Sequence, residues 1–423
     1  MKGVMIVGIS EQVLPIDLYQ RLGEQYGTPL YVYDMAVIEQ RVADLRQCLH
    51  PNVRLFYSMK ANPNPSVVRA IYRHGVYSEI CSPLELEIAL SAGIVPAHIL
   101  YLGPGKSAAE LERLVALGVR YLIVESIQEI ALVQKIAGKR GMVAEVGLRI
   151  NPRETVRGAR LKMGGAARQF GIDEDQLPEV LAAARAMSCV RVVGLHGYLG
   201  TRILQADTIA ANVRCMLEAA DRLLAGGLSE LRYVGVGGGF GIPYHSGESR
   251  LDLEAVALRT RPLFDSFLRR YPDVEVLAES GRFLVAEAGS YLVRVRYTKR
   301  SQGVEFAIAD GGVHQFAAAG GAGSLVKRNY PIEALVCGRG EQRMYHISGP
   351  LCSPDDLIGR GVELPVLQPG DLLAVRQAGA YGLTFSPVLF LSHPLPREVM
   401  LANGQAVLVR DIDEYGLPAV REL

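Results

Sequence analysis

The chain has 423 residues, of which 49% are hydrophobic and 21% are charged. This ordinary globular balance excludes a disordered chain, a collagen and a coiled coil. Lys+Arg 45 against Asp+Glu 44 leaves a net charge of +1, so no overall field attracts nucleic acid or an anionic membrane. The length suggests two or three domains, or one barrel with a smaller partner domain.

The cysteines and the N-terminus bear on the cellular compartment. The six cysteines form no CxxC pair, so we expect free thiols and no metal site. The apolar run at residues 3–9 is short for a signal peptide, and no apolar stretch approaches the roughly 18 residues that a membrane span needs. We therefore expect a cytoplasmic protein that binds neither nucleic acid nor membranes.

Short apolar runs alternate with segments of helical spacing over the first two-thirds of the chain. The predicted strands start near Leu55, Tyr77, Ile99, Tyr121 and Ala144 and continue at Val192–Leu199, Tyr233–Val236 and Val274–Ala278. The predicted helices are Pro65–His74, Leu84–Ala92, Ala108–Leu117, Gln128–Lys139, Leu204–Leu224 and Leu253–Arg270. Eight such units over about 235 residues predict a TIM-like (β/α)8 barrel, and an open doubly wound sheet is the alternative.

After Arg282 the pattern changes to strands without long helices. The predicted strands are Ser290–Tyr297, Phe306–Ala309, Arg343–Ile347 and Leu372–Val375, and segments 317–323 and 359–370 are predicted as loops rich in Gly and Pro. We therefore expect an α/β fold in which a barrel at 33–285 is joined to a mostly antiparallel β domain. Residues 1–32 and 286–423 would form that β domain, which includes Cys352 and Tyr381.

Polar residues and glycines follow several of the predicted barrel strands. They are Lys60 after the first strand, Glu79 after the second, His196, Tyr198 and Thr201 after the sixth, Gly237, Gly238 and Gly239 after the seventh, and Glu279, Gly281 and Arg282 after the eighth. Barrel enzymes place their active sites at the carboxyl ends of the strands. We therefore expect these residues to meet at one rim.

Several of these residues have two interpretations. Lys60 is either a solvated lysine that caps a strand or a Schiff-base lysine, whose pKa would be lowered by partial desolvation. The glycines 237–239 form a tight turn or a phosphate cradle, and Arg282 makes a surface salt bridge or binds the same phosphate. A buried Glu279 needs a partner, which would be a pyridinium nitrogen or a neighbouring arginine.

Five short motifs occur in order over nearly the whole chain: 57–62 (YSMKAN), 237–241 (GGGFG), 279–282 (ESGR), 349–352 (GPLC) and 379–381 (GAY). They resemble the lysine motif, the glycine loop and the E-P-G-R, G-P-x-C and G-A-Y motifs of fold-type III pyridoxal phosphate decarboxylases. Diaminopimelate and ornithine decarboxylases belong to that family. The resemblance implies pyridoxal 5'-phosphate as the cofactor.

The resemblance also implies a role for each matched residue. Lys60 would hold the cofactor covalently, with Glu79 close to it, and Glu279 would pair with the pyridine nitrogen. The cofactor phosphate would be held by Gly237, Gly238, Gly239, Gly281, Arg282, Thr201 and Tyr381. Cys352 would come from the second subunit of a homodimer and supply the proton that replaces the carboxyl group. Otherwise it is a free buried cysteine.

The sequence departs from the better-known members at several positions. Segment 198–201 (YLGT) replaces an H-[VI]-G-S segment whose histidine stacks on the cofactor ring, so Tyr198 is expected to stack, with His196 nearby. No R-P-x-L-Y motif, which diaminopimelate decarboxylases use to bind the distal end of their substrate, follows Asp310. The acidic residue that binds the distal amine of ornithine in ornithine decarboxylases aligns near Ala322, so this sequence has no acidic residue there. Both losses argue against free diaminopimelate and ornithine as substrates.

Other segments are similar to a subgroup of secondary-metabolism and exopolysaccharide-associated decarboxylases, which includes the glutamyl-carrier-protein decarboxylase of butirosin biosynthesis. They are 163–165, 168–171, 310–315 and 327–331. The candidate substrate contacts are Asp356, Lys327, Arg328 and Tyr330. Lys327 and Arg328 would meet an acyl carrier protein or a phosphopantetheine phosphate, unless they are a solvated basic pair.

The leading hypothesis is decarboxylation of an L-amino acid, free or tethered to a carrier protein, in a biosynthetic pathway. A diaminopimelate decarboxylase or an ornithine/lysine decarboxylase is one alternative. An amino-acid racemase is another, although no second base matches Cys352. A non-enzymatic pyridoxal phosphate carrier is the third, and the region after Arg282 argues against it.

Overall fold

A computed structural model describes residues 14–152, 161–162, 169–226, 228, 230–245, 247–322 and 327–411. The strands, in chain order, are β1 (Leu30–Asp34), β2 (Val53–Ser58), β3 (Tyr77–Ile80), β4 (Ile99–Tyr101), β5 (Tyr121–Val124), β6 (Ala144–Asn151), β7 (Leu161–Lys162), β8 (Ile172–Asp173), β9 (Val190–His196), β10 (Gly200–Thr201), β11 (Tyr233–Gly235), β12 (Glu275–Ser280), β13 (Gly289–Ser301), β14 (Val304–Ala309), β15 (Ile332–Ala334), β16 (Gln342–Ser348), β17 (Leu357–Pro365), β18 (Leu372–Arg376), β19 (Arg397–Ala402) and β20 (Gln405–Arg410).

The α-helices lie mainly between the strands of the first two-thirds of the chain. They are α1 (Ile16–Gln25), α2 (Met35–Cys48), α3 (Pro65–Arg73), α4 (Pro83–Ser91), α5 (Ala108–Leu117), α6 (Ile127–Lys139), α7 (Leu177–Arg185), α8 (Ala206–Ala225), α9 (Leu253–Arg270) and α10 (Arg282–Val285). Within the described ranges, none of the helices has both the length and the apolar character needed to span a bilayer.

Eight parallel strands form the barrel. Their order is β5-β4-β3-β2-β12-β11-β9-β6, and a further pairing between β5 and β6 closes the sheet. The TIM-like barrel is therefore confirmed, and the open doubly wound sheet is excluded, because an open sheet has two unpaired edges.

Local sequence explains where several barrel helices begin. The Ser107 side chain accepts from the backbone N–H of Glu110, and the Glu110 carboxylate accepts from that of Ser107, so α5 begins with a capping box. Asn64 caps α3, with Pro65 as its first residue. These caps fix the ends of the loops that leave the carboxyl rim.

Aromatic residues fill the barrel interior. Phe56 and Tyr121 pack edge to face with ring centroids 5.4 Å apart, and Tyr121 packs on Tyr233 at 5.0 Å. Gly194 makes room for this layer, since a Cβ there would lie 2.1 Å from the Tyr233 ring. The interior is therefore a packed core, and the carboxyl rim lies above it.

The second sheet has the order β17-β16-β14-β13-β1-β19-β20, and β18 pairs with β13 and β15. Its pairs are antiparallel except β1 with β19 and β14 with β16. A separate, mostly antiparallel β domain is thus confirmed. The domain boundaries themselves stay predictions, and β1 pairs into this sheet as far as Asp34.

One loop prediction is wrong. The sequence predicts a loop at 359–370, but the first half of this segment belongs to β17, which pairs with β16. Gly361 has a φ of +57° inside β17, and the register with β16 shifts twice. The glycines of β17 allow an irregular hydrogen-bond ladder with β16. A glycine-rich segment can therefore form a strand although its sequence is typical of a loop.

Candidate active site

Lys60 and Glu79 form an ion pair at the carboxyl rim. Lys60 lies in a short turn after β2, and its Nζ is 2.8 Å from Oε1 of Glu79 at the end of β3. Glu79 is fully buried, whereas 43% of the Lys60 side chain is exposed because it opens on the barrel mouth. Among the described residues, Oε2 of Glu79 has no hydrogen-bond partner.

The expectation of a lowered pKa for Lys60 is wrong. Removal from bulk water does lower the pKa of Lys60, but the Glu79 carboxylate, Cys81, Tyr381 and Tyr198 outweigh that effect and raise it well above its ordinary value. Lys60 is therefore held as an ammonium ion by Glu79. It must lose a proton before it can react with a carbonyl group.

Glu279 and His196 form a buried pair inside the same rim. Nε2 of His196 is 2.5 Å from Oε1 of Glu279, and both residues are at most 1% exposed. Burial raises the pKa of Glu279, but His196, Lys60 and Arg149 outweigh it, so the pKa lies below its ordinary value. The partner of Glu279 within the protein is thus a histidine and not a neighbouring arginine, which was one of the two alternatives; the other, a pyridinium nitrogen, stays a prediction.

The glycine loop 237–239 touches the ends of two other strands. A Cβ at Gly238 would lie 1.7 Å from the carbonyl oxygen of Glu279, and one at Gly239 would lie 2.3 Å from that of Gly200. Gly237 accepts a hydrogen bond from the backbone N–H of Glu279 at 2.9 Å. The loop therefore needs glycine for close approach of main chains, as a backbone phosphate cradle does.

Arg282 and Tyr381 join the two domains at this point. The guanidinium carbon of Arg282 is 4.4 Å from the Tyr381 ring centroid, and Tyr381 donates its backbone N–H to the Ala61 carbonyl at 2.8 Å. Tyr381 has a φ of +54°. The β domain thus supplies one wall of the site, next to the turn that contains Lys60.

Tyr198 and Thr201 lie on the segment that follows β9. Tyr198 is half-buried, and its burial, only partly opposed by Lys60 and Thr201, raises its pKa to about 12. Tyr198 is thus a neutral phenol near neutral pH. Thr201 pairs with Leu161 in the short β7–β10 ladder. Whether Tyr198 or His196 stacks on a cofactor ring stays a prediction.

Cys352 lies in the β domain, outside the hydrogen bonds that join the described rim residues. It is exposed on the loop between β16 and β17, and in the described part of the chain no hydrogen bond or ion pair joins it to Lys60, Glu79 or Glu279. Asp356 holds this loop, because its carboxylate accepts from the backbone N–H groups of Leu351 and Val313, both at 2.8 Å. No disulfide joins any of the six cysteines, all of which lie in the described ranges.

Of the remaining candidate substrate contacts, two are exposed and one is buried. Lys327 and Arg328 are exposed, and Lys327 lies 3.4 Å from the exposed Asp355. Tyr330 is 8% exposed, and its ring packs on Tyr244 at 4.8 Å. Segments 163–165 and 168, which contribute to the subgroup resemblance, lie outside the described residues, as does position 323 of the Gly/Ala-rich loop.

Sequence reasoning missed two buried residues at this rim. Arg149 at the end of β6 lies 3.2 Å from Glu125 and 4.6 Å from the Phe170 ring centroid. Tyr244 accepts a hydrogen bond from Arg282 at 2.8 Å. The only available signals were that Arg149 follows the start of the strand predicted near Ala144 by five residues and that Tyr244 follows the glycine loop by five residues.

The residues at the rim fit a phosphorylated pyridine cofactor. The buried polar atoms that lack a partner among the described residues include Glu79 Oε2, His196 Nδ1 and Arg282 Nε at this rim. A lysine, two buried carboxylates, a backbone cradle and a half-buried arginine lie around the same mouth. On a TIM-like barrel, this set defines a pyridoxal phosphate enzyme, with Lys60 as the residue that would hold the cofactor.

Comparisons with known proteins agree with this class. Residues 35–286 match the family described as pyridoxal-dependent decarboxylase, pyridoxal binding domain. The L-glutamyl-[BtrI acyl-carrier protein] decarboxylase of Niallia circulans is 37% identical over 397 residues, which is 92% of each chain. The diaminopimelate decarboxylase of Vibrio cholerae is 33% identical over 96% of this chain and 94% of that protein.

A solved structure shows the same architecture. The crystal structure of diaminopimelate decarboxylase from Helicobacter pylori complexed with L-lysine superposes with a TM-score of 0.83 at 28% identity, covering 93% of this chain and 96% of that one. The chain therefore belongs to the pyridoxal-dependent decarboxylase family. It is an amino-acid decarboxylase, a lyase whose cofactor is pyridoxal 5'-phosphate.

Proposed function

We propose that this decarboxylase acts on an aminoacyl group tethered to a carrier protein, with a glutamyl group as the first candidate, in a biosynthetic pathway. The observation that supports this substrate most directly is the 37% identity, over 92% of both chains, to an enzyme named for glutamyl-carrier-protein decarboxylation. The Gly/Ala-rich segment 317–322 fits the same proposal. This segment has no charged side chain in the region where an ornithine decarboxylase would bind the distal amine of ornithine.

The chain's own residues divide the work as follows. Bound pyridoxal phosphate supplies an electron sink for the pair released from the Cα–carboxylate bond. Lys60 would hold the cofactor, and Glu279, which bonds to His196, would place a negative charge near the ring nitrogen. The glycines 237–239 with Gly281, Thr201, Arg282 and Tyr381 would hold the phosphate. Cys352 of a second subunit would supply the proton that replaces the carboxyl group, in a homodimer with shared active sites.

The exposed pair Lys327 and Arg328 supports a docking role for an acidic carrier protein. Tyr330, two residues after Arg328, packs on Tyr244, and Tyr244 bonds to Arg282 of the site. A carrier bound at this pair would therefore stand near the mouth. Complementary charge at such a rim mainly increases the association rate.

A comparison of substrates tests the proposal. Release of CO2 would be measured from glutamyl-carrier protein, from glutamyl-pantetheine without a carrier, and from free glutamate, diaminopimelate, ornithine and lysine. We expect the highest kcat/KM with glutamyl-carrier protein. Efficient turnover of free diaminopimelate would instead favour the activity named for the Vibrio cholerae relative.

Charge reversal tests the docking surface separately. The double variant Lys327→Glu/Arg328→Glu should lower kcat/KM for glutamyl-carrier protein about tenfold and leave glutamyl-pantetheine unaffected. Arg269→Glu/Arg270→Glu is the matched control, because α9 ends at the opposite, amino-terminal face of the barrel. Equal losses for both substrates, or for both variant pairs, would rule out specific docking at Lys327 and Arg328.

A further inference from the structure

Tyr244 makes two contacts with Arg282, the half-buried arginine of the site. Its phenol oxygen accepts a hydrogen bond from Nη1 of Arg282 at 2.8 Å. Its ring centroid lies 5.3 Å from the Arg282 guanidinium carbon, within the range of a cation–π interaction. Tyr244 is only 1% exposed, so both contacts are shielded from water and are stronger than they would be at the surface.

Neighbouring groups fix Tyr244 in place. Its backbone N–H donates to Oε2 of Glu248 at 2.9 Å, and its ring packs on Tyr330 at 4.8 Å. Burial outweighs the effect of Arg282 and raises the pKa of Tyr244. The phenol therefore stays protonated and neutral, and Arg282 keeps its full positive charge for an anionic ligand.

Arg282 has a hydrogen-bond donor that is available to a ligand. Nη1 is engaged by Tyr244, while Nε is buried and has no partner in the described ranges. A buried donor without a partner costs free energy unless a ligand supplies an acceptor. The planar guanidinium presents its donors in a fixed fork, so fixing one nitrogen orients the others.

We propose that Tyr244 is a positioning residue that orients Arg282 toward the cofactor phosphate. Tyr330 packs against the Tyr244 ring and supports it. This packing explains why Tyr330 is buried, and no contact between Tyr330 and the substrate is needed to explain it. This inference rests on the pyridoxal phosphate cofactor and not on the identity of the substrate. Its test is therefore independent of the carrier-protein proposal.

The test compares two forms of the cofactor. Tyr244→Phe keeps the ring and removes the hydroxyl, so it should weaken pyridoxal 5'-phosphate binding to the cofactor-depleted full chain about tenfold, the usual scale for a hydrogen bond to a charged group. Pyridoxal, which lacks the phosphate, should bind the variant and the wild type equally. Weakening of both ligands alike, or of neither, would overturn the proposal.

Two further measurements separate positioning from general packing. Tyr345→Phe is the matched control, because Tyr345 is a buried tyrosine whose hydroxyl accepts from Leu367 in the β domain, and this variant should bind both ligands as the wild type does. In an Arg282→Lys background, Tyr244→Phe should cause less than a twofold further loss of phosphate-dependent affinity. A full tenfold further loss there would show that Tyr244 does not act through Arg282.

Discussion

At the scale of single residues, Glu79 decides the charge on Lys60. Because the carboxylate raises the pKa of Lys60, while burial alone lowers it, Glu79→Gln should lower that pKa. More Lys60 is then a neutral amine at a given pH. We expect the pH profile for the association rate of pyridoxal phosphate with the cofactor-depleted protein to move to lower pH.

Two results would contradict this account of Lys60. One is an unchanged pH profile in Glu79→Gln. The other comes from borohydride reduction of the wild-type holoenzyme followed by peptide mapping, which should label Lys60. A label on another lysine would remove the basis of the assignment.

The Glu279–His196 pair gives a second prediction at this scale. Since the pKa of Glu279 is lowered, its carboxylate is ionised at neutral pH and can face a protonated ring nitrogen. Glu279→Gln keeps the shape and removes the charge, so kcat should fall about a hundredfold, as for loss of a preorganised electrostatic partner.

The control for this change lies on the same strand. Glu275 is at the opposite, amino-terminal end of β12, where it bonds to Tyr121 and Arg120. Glu275→Gln should leave kcat unchanged. A Glu279→Gln enzyme with wild-type kcat and bound cofactor would refute the role of the charge.

At the scale of elements, a substitution in the glycine loop tests how closely the main chains of the strand ends approach each other. Gly238→Ala places a Cβ 1.7 Å from the main chain of β12, and no flexible side chain can yield there. We expect a loss of about 3 kcal/mol or more in the free energy of unfolding, together with weaker cofactor binding. Gly340→Ala is the control, because a Cβ there has open space. Similar urea midpoints for the two variants would contradict the geometry.

The barrel was predictable because each of its strands is buried on both faces and reads as a short apolar run. The residues that follow those strands could be predicted as a cluster, since the strand ends meet at one rim. The bond between His196 and Glu279 could not, because it joins positions 83 residues apart and leaves no local pattern. Strand β17 was missed because two glycines break its apolar run, and β20 was missed because several of its positions are exposed.

At the scale of the whole molecule, His314 links stability to pH. It is 1% exposed, and burial, with a smaller effect of His393, lowers its pKa from 6.5 to about 4. The unfolded chain therefore binds a proton between these pH values that the folded chain does not. Stability from this residue is complete above pH 6.5 and is lost as the pH falls toward 4.

We expect wild-type protein to lose about 1 kcal/mol of unfolding free energy between roughly pH 7.5 and 5.5 through His314. His314→Gln should remove that part of the loss, as measured by urea unfolding at both pH values. His74→Gln, at a histidine whose side chain is 36% exposed, is the control and should keep the wild-type dependence. An unchanged pH dependence in His314→Gln would contradict the linkage.

The exposed thiol of Cys352, which lies in the β domain, gives the last prediction. If a homodimer shares its sites, a dimer of one Lys60→Ala chain and one Cys352→Ala chain has one site with both wild-type residues. Random exchange makes half of the dimers mixed, so an equal mixture should regain about a quarter of wild-type kcat. Lys60→Ala mixed with the double variant Lys60→Ala/Cys352→Ala forms no intact site and should stay inactive. If Cys352 served the Lys60 of its own chain, every site in the first mixture would lack one residue, and exchange verified by native mass spectrometry would restore nothing.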